Sequence, residues 1–170
     1  MSGEIINRVA NSGLITIDLQ DFRPKENILG FDIKDLLFKG LVLKEKEFRA
    51  SLKNYDFEKY RNSIVALYCG VETIIPMWAF MLVCTYLKPF SSHVYFGNEE
   101  LVLQKTILKN INSIDVDAYK DKKIIIKGCS NIELSEALYI AITQKLQNSV
   151  SSLMFGEACS AVPVYKNKKK

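Results

Sequence analysis

Short apolar runs alternate with amphipathic stretches along the chain, and this alternation predicts its secondary structure. Four runs are continuously apolar, which is typical of strands that are buried on both faces of a sheet. They are Ile64–Tyr68, His93–Phe96, Lys123–Lys127 and Ser152–Phe155. Helical patterns follow the first three runs, over about residues 75–86, 98–111 and 134–146. Strands that alternate with helices predict a mostly parallel sheet with right-handed crossovers and helices on both faces.

The first 60 residues are less regular. Residues 14–19 alternate between apolar and polar positions, which predicts a half-buried strand. Asp32 is a good cap for a short helix that ends at Phe38, and residues 44–54 have the pattern of a surface helix. Three aromatic residues among charges predict a loop or helical turn over residues 54–60.

These elements predict one α/β domain of three layers over residues 1–165. An N-terminal strand and helix extension, residues 1–60, is expected to pack on a core of successive βα units, residues 61–165. Pro163 indicates that the segment after the last run is an extended edge segment. Residues 166–170 are expected to form a disordered lysine tail.

Composition excludes several classes of protein. The chain has 170 residues and a mass of 19.4 kDa, with 48% hydrophobic and 25% charged residues. These values are those of a soluble globular protein and exclude disordered and collagen-like chains. The net charge is +4, and the last five residues hold four lysines, so the rest of the chain is neutral. A nucleic-acid partner is therefore not expected.

Two observations bear on the compartment. The longest uncharged apolar stretch, residues 73–87, is shorter than the roughly 20 residues that cross a bilayer, so no membrane partner is expected. The N-terminal residues show no signal-peptide pattern. We therefore expect a cytoplasmic protein whose four cysteines are reduced thiols.

Three cysteines follow the predicted strands. Cys69 ends the first run, Cys129 follows the third, and Cys159 lies shortly after the fourth. The carboxyl ends of parallel strands share one edge, which is where open α/β sheets bind ligands. Three thiolates at one edge suit a zinc ion or an iron–sulfur cluster. Glu157 or Glu72 is the candidate fourth ligand, or that position is open for exchange.

Three other interpretations of these residues remain open. The cysteines are unrelated residues of the core, since free cysteine is often buried. Alternatively, one of them is a nucleophile or a sulfur carrier, which makes the protein a thiol-dependent enzyme. In the third, the protein is an interaction module without a metal, which uses the apolar helix at residues 75–86 or the aromatic segment at residues 55–60.

Two further candidate residues have simpler interpretations. Cys84 lies in the middle of the apolar helix and is expected to pack there. His93, the single histidine, begins its strand and is therefore expected at the opposite edge from Cys69. A catalytic pair of cysteine and histidine is not expected from this geometry.

Four stretches of the sequence are similar to the DUF2480 family, a bacterial family of unknown function that is typical of Bacteroidetes. They are EIINRVANSGL at residues 4–14, IPMWA at 75–79, KGCSN at 127–131 and MFGEACSAVP at 154–163. The resemblance covers nearly the whole chain and implies that the family's cysteines correspond to Cys69, Cys129 and Cys159. It also implies an accessory role in iron–sulfur cluster handling, with iron–sulfur assembly proteins as partners. No catalysed reaction is predicted.

Overall fold

A computed structural model describes residues 13–128 and 134–167 of the chain. The strands are β1 (Leu14–Asp18), β2 (Ile28–Asp32), β3 (Ile64–Tyr68), β4 (His93–Phe96), β5 (Lys123–Lys127), β6 (Ser152–Phe155) and β7 (Val162–Lys166). The α-helices are α1 (Glu45–Lys53), α2 (Met77–Leu87), α3 (Glu99–Asn112) and α4 (Glu136–Leu146). The predicted α/β class with mostly parallel strands is confirmed.

The strands form two sheets, whereas the sequence predicted one. The three-stranded sheet has the order β2-β3-β4, and all its strands are parallel. The four-stranded sheet has the order β1-β5-β6-β7, in which only β7 is antiparallel. The prediction of one sheet is wrong because an apolar run identifies a buried strand but not its neighbours.

Contacts group the chain into two compact units. The middle unit, Pro24–Leu103, contains the three-stranded sheet with α1 and α2. The terminal unit joins Met1–Arg23 to Gln104–Lys170 and contains the four-stranded sheet with α4. The predicted single domain with a division at residue 60 stays a prediction. The unit boundaries lie elsewhere because β1 pairs with β5 and not with a strand of the middle unit.

The aromatic segment before β3 belongs to the core of the middle unit. Phe57 is 5% exposed and Tyr60 is 1% exposed. The Phe57 ring stacks on Phe31 with 6.1 Å between ring centroids. Burying side chains of this size contributes about 1.5–3 kcal/mol each. The prediction that this segment is a contact surface is therefore wrong, because its largest rings point inward.

Local predictions in the middle unit are confirmed in part. The predicted surface helix is α1, which buries Phe48 and Leu52 and exposes its charged positions. The helix expected after Asp32 is only a 3-10 turn, Ile33–Leu36, although Asp32 does cap it by accepting a hydrogen bond from the backbone N–H of Lys34.

The terminal unit is built around β5, whose three isoleucines are buried on both faces of the sheet. α4 buries Leu138, Ile142 and Leu146, which lie one turn apart on one side of the helix. β7 lies at the edge of the sheet, as Pro163 predicted, because proline has no N–H to donate to a further strand. Residues 168–170 of the predicted lysine tail lie outside the described residues, and Lys166 ends β7.

Candidate functional site

The two predicted thiol ligands that the structure describes belong to different units. Cys69 follows β3 in the middle unit, whereas Cys159 is exposed in the turn between β6 and β7 of the terminal unit. Glu157 is exposed in that same turn, where its carbonyl oxygen accepts a hydrogen bond from the N–H of Ser160. Cys129 lies outside the described residues.

Within residues 13–128 and 134–167, no group of three or more histidine, cysteine, aspartate or glutamate residues is placed to hold a metal ion. The predicted zinc or iron–sulfur site is therefore wrong, and so is the role in cluster handling that depended on it. The physical reason is that β3 and β6 belong to different sheets, so their carboxyl ends do not form one edge. Partnership with iron–sulfur assembly proteins stays a prediction, as does the lack of a nucleic-acid partner.

The other two candidate residues are placed as expected. Cys84 packs on the core of the middle unit, and burial raises the pKa of its thiol, which favours the neutral form. His93 is exposed at the start of β4, where its ring stacks on Tyr95 with 5.9 Å between centroids. It lies opposite Ile64, at the amino end of β3, whereas Cys69 follows the carboxyl end.

A pocket of about 690 Å³ lies at the carboxyl ends of β3 and β4, and we call it the α2 pocket. The described residues that line it are Cys69, Val71, Glu72, Thr73, Ile75, Met77, Phe80, Met81 and Phe96. β3 positions Cys69, which directly follows the strand, and Phe96 is the last residue of β4. The first turns of α2 supply both methionines and Phe80, whose ring meets Phe96 edge-on at 5.6 Å.

The apolar surface around this pocket is exposed to an unusual degree. Met77 is 72% exposed, Met81 is 68% exposed and Phe96 is 64% exposed. Ile74, just before α2, is 94% exposed. A helix at the surface of a globular protein normally turns polar residues to water. α2 instead has apolar residues on both sides, since Ala79, Val83 and Leu87 are buried in the core.

A hydrogen bond fixes the loop that precedes α2. The hydroxyl of Thr73 donates to the carbonyl oxygen of Leu41 at 2.7 Å. Leu41 belongs to a short turn that also leaves Val42 exposed. The bond therefore joins two segments that both present apolar side chains to water, and this is typical of an interaction surface.

Carboxylates gather at the same edge of the three-stranded sheet. We call them the acidic edge, and they are Asp32, Asp35, Glu72 and Glu99. Asp32 accepts a hydrogen bond of 2.9 Å from the N–H of Gly70, next to the pocket wall at Cys69. The carboxylate of Glu99 lies where a side chain on Gly30 would stand.

The negative charges of the acidic edge act on the hydroxyl of Tyr68. Burial raises the pKa of the Tyr68 hydroxyl, and three nearby carboxylates raise it further. In decreasing order of effect, they are Glu99, Asp32 and Asp35. Glu72 is the only charged residue among the described lining of the pocket.

A second, smaller pocket of about 470 Å³ lies in the terminal unit between α4 and the strands β6 and β7. Tyr139, Ile140, Phe155 and Val164 are among the described residues that line it. Cys69, Glu72, Glu157 and Cys159, the predicted site residues that the structure describes, are not among them. The α2 pocket is therefore the only one of the two to which a sequence-predicted residue contributes.

The apolar helix was predicted from the sequence as a possible contact surface, but the exposure of its methionines to water was not predicted. Met77 and Met81 recur four residues apart, which puts them on one side of the helix. The same pattern is found in buried helices, so it could not reveal that this side faces water.

Comparisons with known proteins give one match. The family described as a protein of unknown function, DUF2480, matches residues 3–167. No curated protein and no solved structure matches the chain. Among the described residues, no helix has both the length and the apolar character needed to cross a membrane. The cytoplasmic location stays a prediction.

Proposed function

We propose that this chain, which belongs to the DUF2480 family of proteins of unknown function, is an interaction module that binds an apolar segment of another protein in the α2 pocket. The observation that carries the proposal is the exposure of Met77 and Met81 on a helix whose opposite side is packed in the core.

Covering this surface is energetically favourable. Removing apolar area from water contributes about 25 cal/mol per Å². Methionine has a flexible and polarisable side chain, so it adapts its shape to different apolar partners. Surfaces rich in methionine are typical of proteins that bind amphipathic segments of varied sequence.

The openness of the surface favours a protein segment over a small molecule. Sites for small molecules enclose most of the ligand among side chains that are themselves largely buried. In the α2 pocket, by contrast, three of the largest lining side chains, Met77, Met81 and Phe96, are mostly in contact with water. A helix or extended segment that lies across them would cover all three at once.

Thiol chemistry is the less favoured alternative. Cys69 lines the pocket, as a nucleophile or sulfur carrier would. A nucleophilic cysteine needs a nearby base or cation to form the thiolate. The described lining of the pocket contains no histidine, lysine or arginine that would fill this role. We therefore treat Cys69 as part of the binding wall and use it as a reporter of occupancy.

The test uses a fluorescein-labelled peptide of about 18 residues, which is five helical turns. Leucines form one face of its helix and lysines the other. The control peptide has the same composition in an order that breaks the leucine stripe. We expect fluorescence anisotropy to show binding of the amphipathic peptide and at least tenfold weaker binding of the scrambled one, since the charges are equal.

Two readouts place the peptide on the protein. The double variant Met77→Ser/Met81→Ser should weaken binding at least tenfold. The matched control, Ile140→Ser, removes an apolar side chain that is 57% exposed on α4 of the terminal unit and should change nothing. The peptide should also slow alkylation of Cys69, measured by mass spectrometry, while the exposed Cys159 reacts as before. Equal binding of both peptides, or no effect of the methionine substitutions, overturns the proposal.

A further inference from the structure

We infer that the segment bound in the α2 pocket carries basic residues beside its apolar ones. This inference rests on the proposed function and adds the charge of the partner to it. It comes from the position of the acidic edge, because four carboxylates lie at the same carboxyl end of the sheet as the exposed methionines.

The carboxylates are held around the pocket by the fold. Glu72 is itself part of the lining. Asp32 is fixed by two backbone N–H groups at 2.9 Å, those of Lys34 and Gly70. Gly70 directly follows Cys69, so this carboxylate lies immediately behind the pocket wall. Its position is therefore determined by β2 and by the loop after β3.

Glu99 and Asp35 complete the edge. Glu99 is the first residue of α3 and lies against Gly30 in the middle of β2. Asp35 belongs to the 3-10 turn after β2. The charges of both act on Tyr68, the last residue of β3. The carboxylates thus surround the end of the strand from which Cys69 reaches the pocket.

The nearby lysines leave this edge negative. In the described part of the chain, no ion pair joins any of the four carboxylates to a lysine or arginine. Lys44 pairs with Glu47 at 3.1 Å and lies 3.2 Å from the centre of the Phe38 ring. Lys39 lies over the same ring at 5.6 Å. Lys34 lies between Asp32 and Asp35 in sequence, and its single positive charge set against the four carboxylates still leaves a net negative charge.

The net charge of the whole chain is opposite in sign to that of the acidic edge. The net charge is +4, so attraction to the chain as a whole would favour an acidic partner. A preference for a basic partner can therefore arise only from a local group of carboxylates. Contacts between exposed charges are individually weak and screened by salt, so the preference should be about tenfold at low salt.

The experiment compares three peptides that share one leucine face and carry lysine, glutamine or glutamate on the other. Affinities are measured by anisotropy at about 0.05 M and about 0.5 M salt. This tenfold rise in salt shortens the Debye length about threefold, so charges are screened over shorter distances. We expect the order lysine, glutamine, glutamate, with about a tenfold difference between the extremes at low salt. At high salt the difference should shrink below about threefold.

A pair of matched double variants locates the effect. Asp35→Asn/Glu72→Gln should remove most of the preference for the lysine peptide over the glutamine peptide. Glu136→Gln/Glu157→Gln removes the same charge from exposed positions of the terminal unit and should leave the preference intact. Asp32 is retained in both variants because it makes backbone hydrogen bonds.

The outcomes separate this inference from the proposed function. If all three peptides bind equally, or the glutamate peptide binds best, the basic partner is wrong and the apolar binding site stands. If no peptide binds, the proposed function itself fails. If the control double variant lowers the preference as much as the first, the effect comes from net charge and the acidic edge has no special role.

Discussion

The carboxylate of Asp32 accepts a hydrogen bond from the backbone N–H of Gly70, which lies 38 residues further along the chain. The donor and acceptor are 2.9 Å apart. The same oxygen accepts from the N–H of Lys34. One side chain therefore joins the end of β2 to the segment that forms the wall of the α2 pocket. Its negative charge belongs to the acidic edge of the three-stranded sheet.

Substitution of Asp32 should lower stability. Asp32→Ala removes the acceptor of two backbone donors, and hydrogen bonds to a charged group contribute about 1.5–3 kcal/mol. We expect the free energy of unfolding to fall by about 1–3 kcal/mol in urea titrations, discounted for the partial exposure of the site. Asp35→Ala, which removes a carboxylate from the same turn, should change it by less than about 0.5 kcal/mol. Equal losses in the two variants would contradict the role of these bonds.

Gly97 and Gly40 should respond differently to alanine. Both have positive φ, 129° for Gly97 and 71° for Gly40, a region that alanine adopts at a cost of about 1–3 kcal/mol. A Cβ on Gly97 would also come within 2.6 Å of the Leu101 side chain, whereas one on Gly40 would meet nothing within 4 Å. Thermal unfolding should therefore show a larger loss for Gly97→Ala than for Gly40→Ala. A larger loss at Gly40 would refute the packing argument.

The hydroxyl of Tyr60 should contribute to stability through two contacts. It donates a hydrogen bond to the carbonyl oxygen of Gly30 at 3.2 Å and lies 3.3 Å from the hydroxyl of Tyr55. Tyr60→Phe leaves a partly buried carbonyl without this donor, so we expect a loss of about 1–2 kcal/mol near pH 7. Tyr55→Phe is the control, since Tyr55 is more exposed and its loss leaves the bond to Gly30 in place. Its effect should be smaller.

The raised pKa of the Tyr60 hydroxyl should make stability depend on pH. Burial, followed by the hydrogen bond with Tyr55, raises the pKa of Tyr60 far above its usual value near 10. Above about pH 10 the unfolded chain loses this proton and the folded chain keeps it, so the folded state binds more protons. The contribution is complete below about pH 10 and decreases as the pH rises. Urea unfolding at about pH 8 and about pH 11 should show a steeper decrease in the wild type than in Tyr60→Phe.

Three thiols should differ in their rates of alkylation. Cys159 is exposed, Cys69 is half-buried, and burial raises the pKa of Cys84. Because the thiolate is the reactive form, Cys159 should react fastest and Cys84 slowest with iodoacetamide at neutral pH. Mass spectrometry of proteolytic peptides gives each rate separately. If Cys69 reacted much faster than Cys159, the nucleophile interpretation of the pocket would be favoured instead.

Much of the fold was accessible from the sequence because the apolar patterns are strong. The run Lys123–Lys127 is buried on both faces, as its three isoleucines predicted. The pattern of α1 was equally clear. β2 was missed because it is short and contains Gly30, a residue that is unfavourable in strands. In the structure the lack of a side chain there makes room for Glu99.

The candidate site was harder to predict from the sequence than the fold, because its prediction depended on the order of strands in the sheet. Cys69 and Cys159 follow β3 and β6, as predicted, but a site formed by both required the two strands to share one sheet. Neighbours in a sheet are chosen by the packing of the whole chain, and a single sequence does not encode that choice in any local pattern. The exposure of Met77 escaped prediction for a related reason, since periodicity groups residues on one side of a helix without saying what covers it.

The pairing of β1 with β5 also determines the order in which the protein can be assembled during synthesis. Leu14 lies opposite Lys123, so 109 residues separate the partners. A ribosome that adds about 5–20 residues per second needs roughly 5–20 s to make that length. In this interval all three strands of the middle unit leave the ribosome, while β1, whose neighbour among the described strands is β5, remains unpaired. The nascent chain can therefore form the α2 pocket before β1 pairs with β5.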